Sequence, residues 1–114
     1  MYFEYPQDHE NNRDLNFTPA HFGTQEDHIR YLMENIRYPR EALESGTQGK
    51  VIIHLKITKD GAVEVISISK GVNPYLDFES WRVIEALPKW TPAMKDGEPV
   101  DSYTFIPIKF TLAN

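Results

Sequence analysis

The chain is 114 residues long, 40% hydrophobic and 12% aromatic, with a formal net charge of −5. That length supports one folded core and is too short for two. The absence of cysteine excludes disulfides, thiolate nucleophiles, cysteine-based zinc sites and iron–sulfur clusters.

No window approaches the roughly 18 apolar residues of a membrane span, and the first residues show no secretory signal pattern. The charge is uneven. Residues 1–30 carry Glu4, Asp8, Glu10, Asp14, Glu26 and Asp27 against Arg13 and Arg30, a net of −4, which leaves −1 for residues 31–114. Without a basic face, neither nucleic acid nor an anionic membrane is an expected partner. The expected organisation is an acidic, flexible arm over residues 1–21 and a folded domain over residues 22–114.

Residues 1–14 are polar and aperiodic. Leu15-Asn16-Phe17-Thr18 reads as a short strand stopped by Pro19. Thr24 is a good N-cap, with Asp27 at the capping-box position. Ile29, Leu32, Met33 and Ile36 then recur at helical spacing, one apolar stripe on about three turns. Tyr38-Pro39 ends that helix, because the residue before proline avoids the helical region. Pro39 also opens a short helix over residues 40–45, with Gly46 as its C-cap.

Residues 50–58 change period. Val51, Ile53, Leu55 and Ile57 face one way, and Lys50, Ile52, His54, Lys56 and Thr58 the other, which is a strand with one buried face. Lys59-Asp60-Gly61 is a hairpin turn. The return strand, residues 62–69, is less regular: Val63 and Val65 share one face, Ile66 and Ile68 the other. Either both faces are partly covered or a bulge shifts the phase. Asn73-Pro74 then marks N-cap and first helical residue. Leu76, Ser80, Val83, Ile84 and Leu87 form a stripe flanked by Phe78 and Trp81, and Pro88 ends it. Trp90 reads as the plug of a small core. Lys95-Asp96-Gly97-Glu98-Pro99 is a turn. Residues 101–112 form the last strand, with Ile106, Ile108, Phe110 and Leu112 inside and Tyr103, Phe105, Lys109 and Thr111 outside.

A hairpin and a third strand with helices on one face make a small α+β sandwich. Pro107 lies inside the last strand. Proline cannot donate to a ladder, so it belongs on an edge with its nitrogen facing out, or at a bulge. Backbone groups alternate sides along a strand, so Phe105, Lys109 and Thr111 would face outward with Pro107. Such an edge either receives a visiting strand or is protected from one by the proline.

Taken in order, Tyr38-Pro39-Arg40-Glu41-Ala42, Gly46-Thr47-Gln48-Gly49-Lys50-Val51, Asp60-Gly61-Ala62-Val63, Leu76-Asp77, Arg82-Val83-Ile84, Pro88-Lys89-Trp90-Thr91-Pro92-Ala93, Gly97-Glu98-Pro99-Val100 and Ile106-Pro107-Ile108-Lys109-Phe110 resemble the C-terminal domain of TonB-type energy transducers. The form is closest to the Bacteroidetes-like branch. The resemblance covers residues 22–112 and rests on the order of the pieces, none of which is specific alone. It implies a three-stranded antiparallel sheet with two main helices packed on one face. It implies a periplasmic domain that grips the TonB box, a short extended peptide of outer-membrane receptors, by adding it as a strand to the edge of the last strand. The inner-membrane ExbB/ExbD motor then passes force through the grip for nutrient uptake, by way of segments absent from these residues. The implied contact residues are Asn35, Ile36, Arg37 and Tyr38, with Tyr103, Phe105, Pro107, Lys109 and Thr111 on the edge. The alternative is a stand-alone interaction or regulatory domain, homodimeric through the same edge, motivated by the missing membrane helix and Pro-rich spacer.

Enzyme chemistry finds no support. His9, His21, His28 and His54 are scattered without ligand spacing. Nucleophile-elbow, zinc-protease, phosphate-loop and dinucleotide signatures are all missing. No catalytic residue, metal site or cofactor is expected.

Overall fold

The computed structural model describes residues 2–3, 16–21 and 25–112. In chain order the elements are β1 (Tyr2–Phe3), β2 (Phe17–Thr18), α1 (Gln25–Asn35), α2 (Arg40–Ser45), β3 (Gly49–Ile57), β4 (Val63–Lys70), α3 (Pro74–Glu85), β5 (Ala93–Lys95), β6 (Glu98–Val100) and β7 (Ser102–Phe110).

Local chemistry sets the helix ends. Pro39, at φ −59°, precedes α2, and Gly46 ends it in the left-handed conformation, φ 67° and ψ 25°, which costs glycine little. Asn73 caps α3: its side-chain oxygen accepts the Leu76 N–H at 2.9 Å, and Pro74 supplies a first residue with no N–H to satisfy. The expected Thr24 cap lies outside the described residues.

The main sheet is antiparallel, in the order β1-β7-β3-β4. β3 pairs with β7 along its whole length, from Gly49↔Phe110 to Ile57↔Ser102. The alternation in β3 therefore turns Val51, Ile53, Leu55 and Ile57 onto one face, beside Ile106, Ile108 and Phe110 of β7, and all seven are buried. Leu32, Ile36, Ala42, Leu76, Val83 and Ile84 close this core from the helical side. Full burial of each large aliphatic or aromatic side chain contributes roughly 1.5–3 kcal/mol over leaving it exposed.

In β4 the register against β3 shifts twice, between Ile52 and Ile53 and between His54 and Leu55. These irregularities let Val63, Val65 and Ile68 pack against the core while Ile66 is exposed. Of the two alternatives left open for this strand, the bulge is the one realised.

The fold is α+β, but the sheet layout corrects the expected one. The main sheet has four strands, because β1 adds to β7. A second, three-stranded sheet, β2-β5-β6, lies apart from it. Three helices are present among the described residues, the short α2 between the two main ones. The segment read as a turn, Lys95 to Pro99, is the centre of the β5–β6 hairpin. Asp96 and Gly97 both have positive φ, 51° and 81°, as a tight two-residue turn requires. Strands of two or three residues are too short to show alternation.

Trp90 is the expected plug, 5% exposed. Its backbone N–H donates to the Gly61 carbonyl at 2.8 Å, and the next residue, Thr91, exchanges backbone hydrogen bonds with His21 at 2.7 and 2.9 Å. Residues 16–21 thus pair with the body, and so do residues 2–3. The rest of the acidic arm, residues 4–15, lies outside the described residues.

Candidate functional site: the outer edge of the last strand

Pro107 stands opposite Ile52 in the unbroken β3–β7 register. A residue without an N–H fits such a ladder only where its backbone faces away from the partner strand. The Pro107 backbone therefore faces the outer edge of β7, and by alternation so do those of Tyr103, Phe105 and Lys109. β1 covers one end of this edge, with Tyr2 opposite Lys109 and Phe3 opposite Ile108. From Tyr103 to Pro107, no strand among the described residues pairs with it. Thr111 lies just past the strand, half-buried, next to Leu112, whose N–H donates to Gln48 Oε1 at 2.7 Å.

The side chains of the same residues form a surface on the sheet face opposite the core. Tyr103 is 57% exposed and Phe105 49%. Phe105 stacks on His54, centroids 4.5 Å apart and planes 10° apart, and the Tyr103 ring is tilted by 41° against the same imidazole at 6.0 Å. Pro107 and Lys109 are half-buried. Sequence reading put His54 on the polar face without seeing its aromatic neighbours; the His54↔Phe105 pairing joins residues about fifty positions apart.

The other implied contact residues are the last of α1, Asn35, and the three that follow it. Asn35 is exposed; its side-chain amide donates to the Tyr31 carbonyl at 2.7 Å, and its own carbonyl accepts from Arg82 Nη2 at 3.0 Å. Ile36 is a core residue, 6% exposed. Arg37 is exposed, but its N–H donates to Glu79 Oε2 at 2.6 Å. Tyr38 packs edge-on against Phe110, centroids 5.4 Å apart at 88°, and its hydroxyl donates to the Thr47 carbonyl. Burial raises the Tyr38 pKa, so the phenol stays a donor. The Tyr38–Phe110 ring pair ties this segment to β7, whereas Asn35 and Arg37 are bonded to α3.

Glu79 is the organising residue that sequence reading missed. Its carboxylate takes both Arg82 Nε and Nη2 at 2.7 Å as well as the Arg37 N–H, at 7% exposure. The hydrogen bond to Glu79 is the main cause that raises the Arg82 pKa further. The i, i+3 spacing of Glu79 and Arg82 was the available signal. Beside this clamp, Arg37, Pro39 and Glu41 face Pro74, Tyr75 and Phe78 across a groove of about 500 Å³. Among the described residues no group of three or more histidines and carboxylates could hold a metal ion. What the edge offers a partner is a row of backbone donors and acceptors.

Comparison with known proteins follows this geometry. The model of one protein family, described as Gram-negative bacterial TonB protein C-terminal, matches residues 34–112. A comparison with curated proteins gives no match. Among solved structures, the chain is similar to the NMR solution structure of the Helicobacter pylori TonB C-terminal domain, residues 179–285 of that protein. The likeness has a TM-score of 0.55 at 18% identity, over 97% of this chain and 99% of that one, and it shows a shared fold.

Proposed function

This chain belongs to the family of Gram-negative bacterial TonB protein C-terminal domains, which are energy-transduction and interaction domains rather than enzymes, and from that premise we propose that it grips the TonB box of outer-membrane receptors by strand addition to the outer edge of β7. The observation that carries the proposal is the stretch from Tyr103 to Pro107, where the backbone groups of Tyr103, Phe105 and Pro107 face outward with no strand beside them among the described residues. Main-chain bonds to such an edge give affinity with little demand on the visitor's sequence, which suits one domain serving several receptors. Tyr103, Phe105, Pro107 and Lys109 are the proposed strand contacts, with Thr111 extending them and Asn35, Arg37 and Tyr38 flanking. Ile36 supports the others from the core. The proposed setting is the periplasm, with the ExbB/ExbD motor as a further proposed partner.

The test is calorimetric titration of the protein with a synthetic receptor TonB-box peptide, beside Phe105→Pro. That change removes one outward N–H and leaves the β3 side of the ladder intact. A folded Phe105→Pro protein that binds at least tenfold more weakly supports strand addition; unchanged affinity overturns it.

A second reading has support of its own. Tyr103 and Phe105 are large and exposed beside the open edge, and open edges also pair with their own copies. Under it, light scattering detects a homodimer that Phe105→Pro dissociates.

A further inference from the structure

β1 lies on the edge just proposed for a visiting strand. Tyr2–Phe3 pairs antiparallel with Ile108 and Lys109, and it also lies against α1. We propose that β1 is a resident competitor: a segment of this chain that holds the Lys109 end of the β7 edge and must be displaced before a visiting strand can use the whole of it. The inference rests on the strand-addition reading above and adds regulation to it.

Three features of the edge support competition. Tyr2 opposes Lys109, whose backbone faces outward by the alternation fixed at Pro107, so the resident and a visitor need the same donor and acceptor. Pro107, the next outward-facing residue of β7, has no N–H to offer a resident strand. Among the described residues β1 is held by a two-residue ladder. A visitor that also reaches Phe105 and Tyr103 has more outward backbone to pair with. A two-residue strand on a sheet edge belongs to the least stable units of a fold, those that open locally while the core stays intact. A site blocked for part of the time has its apparent affinity reduced by the fraction that is open.

The test compares the full chain with Tyr2→Pro, which removes the N–H opposite Lys109. Two readouts are taken: amide hydrogen exchange at Lys109 in the free protein, and the dissociation constant of a synthetic receptor TonB-box peptide. Competition predicts faster exchange at Lys109 in Tyr2→Pro and peptide binding several-fold tighter than in the parent. Equal affinity in the two proteins overturns the competitor while strand addition stands. Unchanged exchange at Lys109 overturns it as well, because β1 then does not protect that amide. If the peptide binds neither form, strand addition itself fails and the competitor falls with it.

Discussion

The Arg37 N–H donates to the Glu79 carboxylate at 2.6 Å across 42 positions of sequence. The bond fixes the chain as it leaves α1, because Arg82, held by the same carboxylate, also donates to the Asn35 carbonyl. The Asn35 carbonyl and the Arg37 N–H, at the exit of α1, are thus both satisfied by one acid–base pair on α3.

Glu79→Ala removes an acceptor shared by a backbone N–H and a guanidinium in a nearly buried place. The expected loss is about 2–3 kcal/mol, since the orphaned donors must be desolvated without return. Glu79→Gln keeps one acceptor and loses about 1 kcal/mol. Urea unfolding midpoints check both. Equal loss in the two variants would mean that the charge matters and the bond to Arg37 does not.

Gly61 and Gly97 share a positive φ, +86° and +81°, but not their surroundings. A Cβ on Gly61 would lie 2.2 Å from the Trp90 carbonyl oxygen, whereas one on Gly97 meets nothing within 4 Å. Gly97→Ala therefore costs only the backbone term, about 1 kcal/mol. Gly61→Ala adds a clash with main chain and costs about 3 kcal/mol or more. Thermal unfolding of the two variants separates the terms.

Asp101 sets a pH dependence. The Lys59 N–H, at 2.8 Å, and then the Lys56 ammonium, at 3.4 Å, hold its carboxyl below the usual range. A depressed native pKa gives stability that is present above the unfolded value and lost as pH falls through the native one. The parent is therefore more stable than Asp101→Asn at pH about 6, and the gap narrows as pH falls below the ordinary aspartate value of about 4. Melting temperatures against pH measure it. A gap that persists in acid would assign the effect to packing.

Tyr38→Phe keeps the ring pair with Phe110 and deletes the hydroxyl bond to Thr47. The loss of one neutral hydrogen bond is expected to cost about 1 kcal/mol. Denaturant unfolding checks it, and peptide affinity should change less than twofold. A larger drop in affinity would make the hydroxyl a binding group.

Much of this fold is legible in the sequence where a local signal is strong. Pro39 and Gly46 bracket α2, Asn73-Pro74 opens α3, and the alternation from Val51 to Ile57 marks β3 with its buried face. For Pro107 the sequence leaves an edge or a bulge, and the unbroken β3–β7 register selects the edge with its nitrogen facing out. Features that depend on distant pairing were not legible. β1 is two aromatic residues in a polar stretch, and its partner Lys109 is at the opposite end of the chain. In the second sheet β2 falls within the short strand read over residues 15–18, whereas β5 and β6, of three residues each, are too short to carry a period. Within the candidate site, the helical stripe through Leu32 already gave Ile36 to the core. Glu79 was not singled out in the sequence, because nothing local tells that Arg37 will come to it.

The central claim is that a partner strand docks on the outer edge of β7. It is tested most directly by amide-shift titration of labelled protein with a receptor TonB-box peptide. Strand docking predicts saturable shifts centred on residues 103–109 and at Tyr38, abolished in a folded Phe105→Pro protein. Shifts centred instead on Pro39, Tyr75 and Phe78, or saturable shifts that survive Phe105→Pro unchanged, would contradict it and place the partner in the groove between α2 and α3.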